Sequence, residues 1–503
     1  MTTPPMKQSA ATKESLPDVS MQKADRLTVS KAKDFMAWYN EIVEVADLAD
    51  KRYPIKGMNV WRPYGWKLML AIDGITRQEM ERSKHDEVCF PLLIPERLFQ
   101  KEADHIKGFG GEVFWVTHAG NNQLEERWLL RPTSETAMYD MFSLWVRSHA
   151  DLPLRTFQIV NVFRYETKQT RAFMRVREIH FFEDHSCFAT FEQAEAHVRE
   201  DLDIATSLFR RLGLKSFLSR RPEWDKFAGA YYSIGIDVLM PSGRTLQLGS
   251  VHQYKTNFSE PYGIKFVDEK GEWHFAHQTT YGMSERIVGA VIGVHGDDRG
   301  IVLPPAIAPM QVVIVPILFK GKEDVVHTAC RGIIGELQAA GIRVHYDDRD
   351  LTPGNKYYGW ELKGVPLRLE VGPRDIEKGV VSAARRDLPA SKENRIELPR
   401  GTLVQEAKRL LDEVQQNLLH KHEQFAKAHP VKTVDEAKAA FQKAMGVLVA
   451  PWCGNAECAH KVEEALECKT LGTPFDESPD TQGEPCVTCH QRSKWWVRFA
   501  NTY

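Results

Sequence analysis

Long apolar runs are missing from this chain of 503 residues. No stretch approaches the ~20 consecutive apolar residues of a membrane-spanning helix. Roughly the first 25 residues lack the apolar core of a secretory signal, and they lack the Arg-rich, acid-poor character of a transit peptide. Rich in Lys, Ser, Thr and Pro, they read as a disordered tail over 1–27 of a cytosolic protein. Net charge is nearly absent too. Lys and Arg number 66 against 68 Asp and Glu, leaving −2, so any nucleic-acid site must be a local patch. Cysteine is scarce over most of the length. Of eight, only Cys89, Cys187 and Cys330 precede residue 450, and as isolated cysteines they are expected to be buried thiols. No internal repeat stands out.

What remains is ordinary globular material, 43% hydrophobic and 27% charged, long enough for roughly three or four domains. The other five cysteines, Cys453, Cys458, Cys468, Cys486 and Cys489, crowd into one late segment, which suggests a metal site rather than a disulfide framework. Periodicity predicts an amphipathic helix over 31–50, an extended segment over 55–66 and a helix over 67–83. A short strand over 89–95 is bounded by prolines, which favours an edge or an interface. Helices follow at 131–145, 191–212 and 284–294, with a strand pair at 231–237 and 244–249 around a Gly-containing turn. Pro304-Pro305-Ala306-Ile307-Ala308-Pro309 reads as a linker. Beyond it strands and helices alternate, as in an α/β domain, until a charged helical stretch at 406–445.

The richest chemistry lies in Phe163-Arg164-Tyr165-Glu166-Thr167-Lys168-Gln169-Thr170-Arg171 and Arg175-Val176-Arg177-Glu178. Charged and apolar residues alternate with period two, as in a hairpin whose turn falls at Thr170-Arg171. Surface ion pairs would be worth only ~0–1 kcal/mol each. The flanks, Phe157-Gln158-Ile159-Val160 and Ile179-His180-Phe181-Phe182, are apolar and argue for a buried setting. Guanidinium groups beside such a core need anions, either carboxylates or phosphates.

This run resembles motif 2 of class II aminoacyl-tRNA synthetases. The resemblance narrows to the prolyl-tRNA synthetases, in their archaeal/eukaryotic-like form, through several further segments. These are Leu130-Arg-Pro-Thr-Ser-Glu-Thr136, Trp224-Asp-Lys-Phe-Ala-Gly229, Leu246-Gln-Leu-Gly-Ser-Val-His252, Val294-His-Gly-Asp-Asp-Arg-Gly300 and Gly364-Val-Pro-Leu-Arg-Leu-Glu-Val-Gly-Pro-Arg374. It covers residues 28–503 in order. Two positions depart from the family pattern: Gly249-Ser-Val-His replaces Gly-Thr-Ser-His, and Phe181 stands where Trp is often found. The implied fold class is α+β. A class II antiparallel-sheet catalytic domain spans 28–303 and a linker 304–310. An α/β anticodon-binding domain spans 311–405, and a small α+β zinc-binding C-terminal domain spans 406–503.

The resemblance implies ATP-dependent activation of L-proline to prolyl-adenylate, then transfer to tRNA(Pro). Arg164 would bridge the proline carboxylate and the α-phosphate, and Arg286 would hold the γ-phosphate. Glu166 would read the adenine amino group. Arg175, Val176, Gln247, Ser250 and Ser284 would complete the ATP site. Thr133 and Glu135 would take the proline imino cation, with Glu183 and His252 lining the same pocket. Mg2+ is expected with ATP, Gln247 and Glu166 being possible contacts. Lys168 and Arg171 would meet the tRNA acceptor end. Asp347, Arg349, Lys356, Glu361 and Arg374 are candidates for anticodon contact, a solvated charged face being the competing reading.

Cys453-x4-Cys458 and Cys486-x2-Cys489 fit a structural four-thiolate Zn2+ site, with Cys468 outside it and His460 and His490 as reserve ligands. The family brings the segment ending at Tyr503 toward the active site. No insertion between His185 and Tyr281 is large enough for an editing domain, so no cis-editing is expected. A homodimer is implied, with Pro91 at its interface. The competing functions are a synthetase-like tRNA-binding regulatory paralogue and a class II synthetase for threonine, histidine or glycine.

Overall fold

The computed structural model describes residues 26–101, 111–391, 394–443, 446–475 and 481–503. The tail expected over 1–27 falls outside them except for Arg26 and Leu27, where the Leu27 amide donates to the Tyr358 hydroxyl at 3.2 Å. Helix α1 (Phe35–Val45) starts because the Asp34 carboxylate accepts from the Met36 and Ala37 amides. Its face of Trp38, Tyr39, Ile42 and Val43 enters the main core. Helix α2 (Pro63–Arg82) begins inside the segment expected to be extended, because Pro63 supplies a preset φ at its first turn.

One sheet of 11 strands organises the molecule. Its catalytic half comprises β1 (Asp86–Glu87), β2 (Leu154–Phe163), β3 (Glu178–Phe188), β4 (Ser216–Arg220), β5 (Tyr232–Leu239), β6 (Arg244–Lys255) and β7 (His277–Ser284). The spatial order is β4-β5-β6-β7-β3-β2-β1, antiparallel throughout except for the parallel edge strand β1. Helices α3 (Glu135–Trp145), α4 (Phe191–Arg211) and α5 (Arg286–His295) pack around it. Only Leu93–Pro95 of the 89–95 segment is strand, and Cys89 is exposed rather than buried; Cys187 and Cys330 are buried.

The expected arginine hairpin is not a continuous ladder. Strand β2 ends at Phe163, β3 begins at Glu178, and a loop joins them. The reason is Ala172-Phe173-Met174: all three side chains are buried, whereas strict alternation would expose at least one. Phe173 reaches its place with φ 61°, its ring 4.5 Å from that of Trp61. The Arg177 amide donates to Gly57 O and the Tyr165 amide to Glu112 O, so the loop is tied to neighbouring segments.

Beyond the catalytic half, Ile307 and Ala308 are fully buried, and Arg343 donates to Pro305 O and Ala308 O. The Pro-rich linker is thus a docked segment. Strands β8 (Val312–Pro316), β9 (Val344–Tyr346), β10 (Leu367–Val371), β11 (Val380–Arg385) and β12 (Arg395–Pro399) form a mixed sheet in the order β9-β8-β10-β11-β12. Helices α6 (Glu323–Ala339) and α8 (Leu403–Phe425) share one core with it, while α7 (Pro353–Leu362) brings Trp360 against Val313 and Val315. Helix α8 runs unbroken through residue 405 and continues onto the catalytic half, where the Lys215 amide donates to His422 Nδ1 at 2.8 Å.

The C-terminal strands β13 (Ala428–Pro430), β14 (Val447–Trp452), β15 (Lys469–Pro474) and β16 (Trp495–Thr502) flank helix α9 (Ala456–Leu466) and extend the catalytic sheet. Thr473 and Pro474 of β15 pair with Arg220 and Ser219 of β4. Gly472, at φ 114°, is needed there, since a Cβ would lie 2.0 Å from Arg220 O. Fully buried Arg498 donates to Leu218 O at 2.8 Å, and β16 pairs with the start of β6. Among the described residues no helix is long and apolar enough to cross a membrane.

Candidate active site

A cavity of about 350 Å3 opens on the catalytic sheet and joins two chemically different walls. The acidic wall starts where β2 and β3 present alternate residues. Gln158 and Glu183 point to the same side and Ser134 caps them from the start of α3: Glu183 accepts from Gln158 Nε2 at 3.1 Å, from the Ser134 amide at 3.2 Å and from the Ser134 hydroxyl. His185 Nε2 lies 3.3 Å from the same carboxylate. Burial opposes charge on His185, but the Glu183 hydrogen bond and the Glu135 charge outweigh it and raise its pKa. Glu135 accepts from the Tyr254 hydroxyl at 2.9 Å and from the Thr133 hydroxyl. His252 is locked between Ser250 Oγ at 2.9 Å and Ser233 Oγ at 2.7 Å, against the Phe227 ring. Burial pushes its pKa down to about 4, so it is a neutral imidazole at pH 7.

The basic wall is built by the β2–β3 loop and the start of α5. Arg164 Nε donates to Pro132 O at 3.0 Å, and its guanidinium lies 5.8 Å from the Phe181 ring centre. Arg175 pairs with Glu166 at 3.0 Å. Arg286 donates to Met174 O at 2.8 Å and to Gln247 O at 3.3 Å. Burial first, then the fields of Arg164 and Arg175, lower the Arg286 pKa to about 10. Three guanidinium groups this close in a partly dry cleft, two of which disfavour charge on Arg286, suit an anionic ligand.

Thr133, Glu135, Arg164, Glu166, Arg175, Val176, Glu183, Gln247, Ser250, His252, Ser284 and Arg286 all line this one cavity. Arg177, in the same charged run, instead covers the Tyr165 ring at 4.2 Å and donates to Glu166 O. Sequence reasoning assigned no role to Arg221. It lies in the cavity wall, donating to Asp237 at 2.9 Å, to Gln247 Oε1 at 3.3 Å and to Leu471 O at 2.7 Å. The nearby family-like segment Trp224–Gly229 was a signal, but Leu471 comes from β15, far along the chain. Trp224 itself packs on Trp452 and His460 of the C-terminal part.

The other predicted residues lie elsewhere. Asp347 is buried, bound bidentately by Arg349 and by Trp360 Nε1 at 2.7 Å. Lys356 is buried and donates to Asp347 O, and Glu361 accepts from Arg368. Arg374 is exposed and Arg349 half exposed. The thiols of Cys453, Cys458, Cys486 and Cys489 lie within 4.8 Å of one another. Cys453 and Cys489 Sγ are 3.7 Å apart, against an edge of about 3.8 Å for a tetrahedron with Zn–S of about 2.3 Å. Burial opposes ionisation of Cys486, yet the amides of Cys489, Thr488 and Cys453 bring it down to about 7. Cys468 lies outside the cluster, facing Val462 O, and His460 is bound to Glu463.

An antiparallel sheet that holds an arginine-lined cleft, followed by an α/β domain, is the architecture of the class II aminoacyl-tRNA synthetases. The chain matches the tRNA synthetase class II core domain (G, H, P, S and T) over 114–295, the anticodon binding domain over 311–410 and the prolyl-tRNA synthetase C-terminal domain over 434–503. It is 54% identical over 477 residues to the proline–tRNA ligase of Thermococcus kodakarensis, covering 94% of this chain and 98% of that protein. The proline–tRNA ligase of Pyrococcus horikoshii is 53% identical over the same shares. The chain belongs to the prolyl-tRNA synthetase family. Among solved structures, Giardia lamblia prolyl-tRNA synthetase in complex with prolyl-adenylate superposes with a TM-score of 0.89 at 35% identity, covering 95% of this chain and 100% of that one. Prolyl-tRNA synthetase from Cryptosporidium parvum, complexed with halofuginone and AMPPNP, gives 0.90 at 33% identity and the same coverage.

Proposed function

We propose that this chain is a proline–tRNA ligase that makes prolyl-adenylate from L-proline and ATP and passes the prolyl group to tRNA(Pro). The observation that carries this reading is the division of one cavity into an acidic wall around Glu135 and Glu183 and a basic wall around Arg164, Arg175 and Arg286. Proline is a zwitterion. Its imino cation suits Glu135 and Thr133, and its carboxylate then faces the arginines. There Arg164 aligns a carboxylate oxygen with the α-phosphate and stabilises the charge that develops as that oxygen attacks and pyrophosphate departs. Arg286 holds the γ-phosphate. Glu166, Arg175, Val176, Gln247, Ser250 and Ser284 surround the nucleotide, with His252 and Glu183 shaping the amino-acid end. Mg2+ would neutralise phosphate charge, with Gln247 and Glu166 as candidate side chains.

In the second step the tRNA ribose hydroxyl attacks the adenylate, with Lys168 and Arg171 on the β2–β3 loop near the acceptor end. Exposed Arg374 and half-exposed Arg349 are the cations suited to the anticodon, and Glu361, paired with Arg368 at 3.0 Å, is the candidate acceptor for a base amino group. The buried ammonium of Lys356 supports the Asp347 loop instead. The Cys453, Cys458, Cys486 and Cys489 thiolates would hold a structural Zn2+, and four protein ligands would leave it a structural rather than a catalytic ion. Exposed Leu92 and Leu93, beside Pro91, supply apolar surface for a homodimer. The cytoplasm is the expected site of action.

Proline-dependent exchange of pyrophosphate into ATP tests the reading. It should exceed exchange with threonine, histidine or glycine by orders of magnitude. Equal exchange with another amino acid refutes the substrate, and none at all favours a non-catalytic tRNA-binding paralogue. Hydrolysis of alanyl-tRNA by this chain alone would overturn the expected lack of cis-editing.

A further inference from the structure

Directly behind the acidic wall lies a group of side chains that the reaction does not use. Strand alternation sends Glu183 and His185 of β3 toward the cavity, and Asp184 to the opposite face. There it meets His85, three residues past α2, together with His197 and Asp201, which share one face of α4 at i, i+4 spacing. All four side chains are fully buried. One ligand atom from each lies within 4.8 Å of the others. His85 Nε2 is 2.8 Å from His197 Nε2 and 3.5 Å from Asp184 Oδ1.

Three features point to a cation. First, the imidazoles are held from outside: His85 Nδ1 meets Ser83 Oγ at 2.8 Å and His197 Nδ1 meets Thr279 Oγ1 at 2.8 Å. Both Nε2 atoms are therefore turned toward each other and toward Asp184, as outer hydrogen bonds do for metal-bound histidine, while Asp201 Oδ2 approaches His197 from its Nδ1 edge at 3.3 Å. Second, the carboxylates are only partly satisfied: Asp184 Oδ1 accepts from the Ser186 hydroxyl at 2.8 Å, and Asp201 Oδ2 lies 3.3 Å from His197 Nδ1. Among the described residues neither oxygen of Asp201 takes a hydrogen bond, and nor does Asp184 Oδ2. The nearby guanidinium of Arg155 gives Nη1 to Ser83 O and Glu200, each at 3.0 Å, while its buried Nε takes no hydrogen bond among the described residues and its charge favours ionised Asp184 and Asp201. Buried carboxylates in such a setting keep a proton, pair with a cationic side chain or coordinate a metal. Third, the dimensions are close to those of a cation site: a tetrahedron with ligands at about 2.0–2.1 Å has edges of about 3.3–3.4 Å, which the 3.5 Å between His85 Nε2 and Asp184 Oδ1 approaches, while the 2.8 Å hydrogen bond between the two Nε2 atoms opens on binding.

We propose that His85, Asp184, His197 and Asp201 form a second metal centre, a closed His2Asp2 site for a divalent first-row cation, zinc by its ligand set. Two carboxylates and two neutral imidazoles balance the double charge. The cation ties the segment after α2 and the face of α4 to β3, and so braces Glu183 and His185 from behind.

Zinc counted by mass spectrometry on the intact chain, purified from zinc-supplemented culture without chelator, tests this. Two equivalents per chain are expected. His197→Gln should lower the count to one, and Cys486→Ser with Cys489→Ser should remove the other. Cobalt exchange separates the two centres: the thiolate site gives an intense near-ultraviolet charge-transfer band that His197→Gln keeps, whereas weak visible bands from the His2Asp2 site disappear. Should His197→Gln not fold, anomalous scattering at the zinc edge from wild-type crystals decides, with a peak among the four side chains expected. A single equivalent, a second equivalent that survives His197→Gln, or no peak overturns the proposal. None of these outcomes bears on proline-dependent exchange, which stands or falls separately.

Discussion

Replacing Arg221 by methionine probes how the C-terminal strands reach the cavity. Arg221 and Asp237 are 8% and 1% exposed, and their pair at 2.9 Å is the main compensation for the Asp237 charge. Removing one partner of a buried pair costs about 3–5 kcal/mol, because the other charge stays behind. Asp237→Asn in the same chain removes that charge without changing shape, and should return about 2 kcal/mol or more. Activity should behave differently. Arg221 is the donor to Gln247 Oε1 in the cavity wall proposed to hold ATP. Loss of a charge-assisted hydrogen bond of about 1.5–3 kcal/mol corresponds to a fall of about 10–150-fold in kcat/KM for ATP. The double substitution should not restore it. Urea unfolding followed by circular dichroism gives the first quantity, and pyrophosphate exchange the second. A single substitution that costs under ~1 kcal/mol, or a double no more stable than the single, refutes the reasoning.

Arg164→Lys keeps a charge but loses the planar fork, and should cut exchange kcat about 100-fold or more with a smaller change in KM for ATP; near-normal turnover would deny Arg164 its role. Deleting Thr502 and Tyr503 removes the Tyr503 hydroxyl bond to Ser242 at 2.6 Å and the Arg244 bond to Thr502 O at 2.9 Å. Adenylation should fall about 10-fold or more, a loss of some 1.4 kcal/mol, and full adenylation would show that the segment is dispensable. Burial pushes Glu285 up to about 7, against an ordinary value of 4.5. The folded chain therefore holds a proton that the unfolded chain has released. This group's stabilisation is complete below pH 4.5 and is lost as pH rises to about 7, by on the order of 3 kcal/mol. Glu285→Gln should flatten that slope in a series of Tm against pH; an unchanged slope would place it elsewhere.

Much of the cavity was legible because its residues come in short runs with distinctive chemistry. Arg164 to Glu166, Thr133 to Glu135, Gln247 to His252 and Ser284 to Arg286 each contribute several lining residues. What escaped was non-local. Arg221 owes its position to Asp237 on β5 and to a carbonyl on β15, and no local pattern announces that pairing. Helix α8 was expected to mark a change of domain, yet its amphipathic face serves two neighbours in succession. The arginine run alternates like a strand, but the burial of Ala172-Phe173-Met174 overrides that period. Among the anticodon candidates, charge alone could not separate exposed Arg374 from buried Lys356.

The pairing of β4 with β15 has a consequence for how the protein is made. On the ribosome the catalytic strands emerge long before their neighbour, since Leu471 lies 250 residues beyond Arg221. Until then β4 is an open sheet edge, able to pair with another chain, and such non-local closure is slow. A fragment ending after helix α5 would carry every arginine of the cavity's basic wall and still expose that edge. Premature termination in the second half of the message would thus yield aggregates rather than a weaker enzyme, and holding nascent chains until β15 and β16 have emerged becomes a task for chaperones.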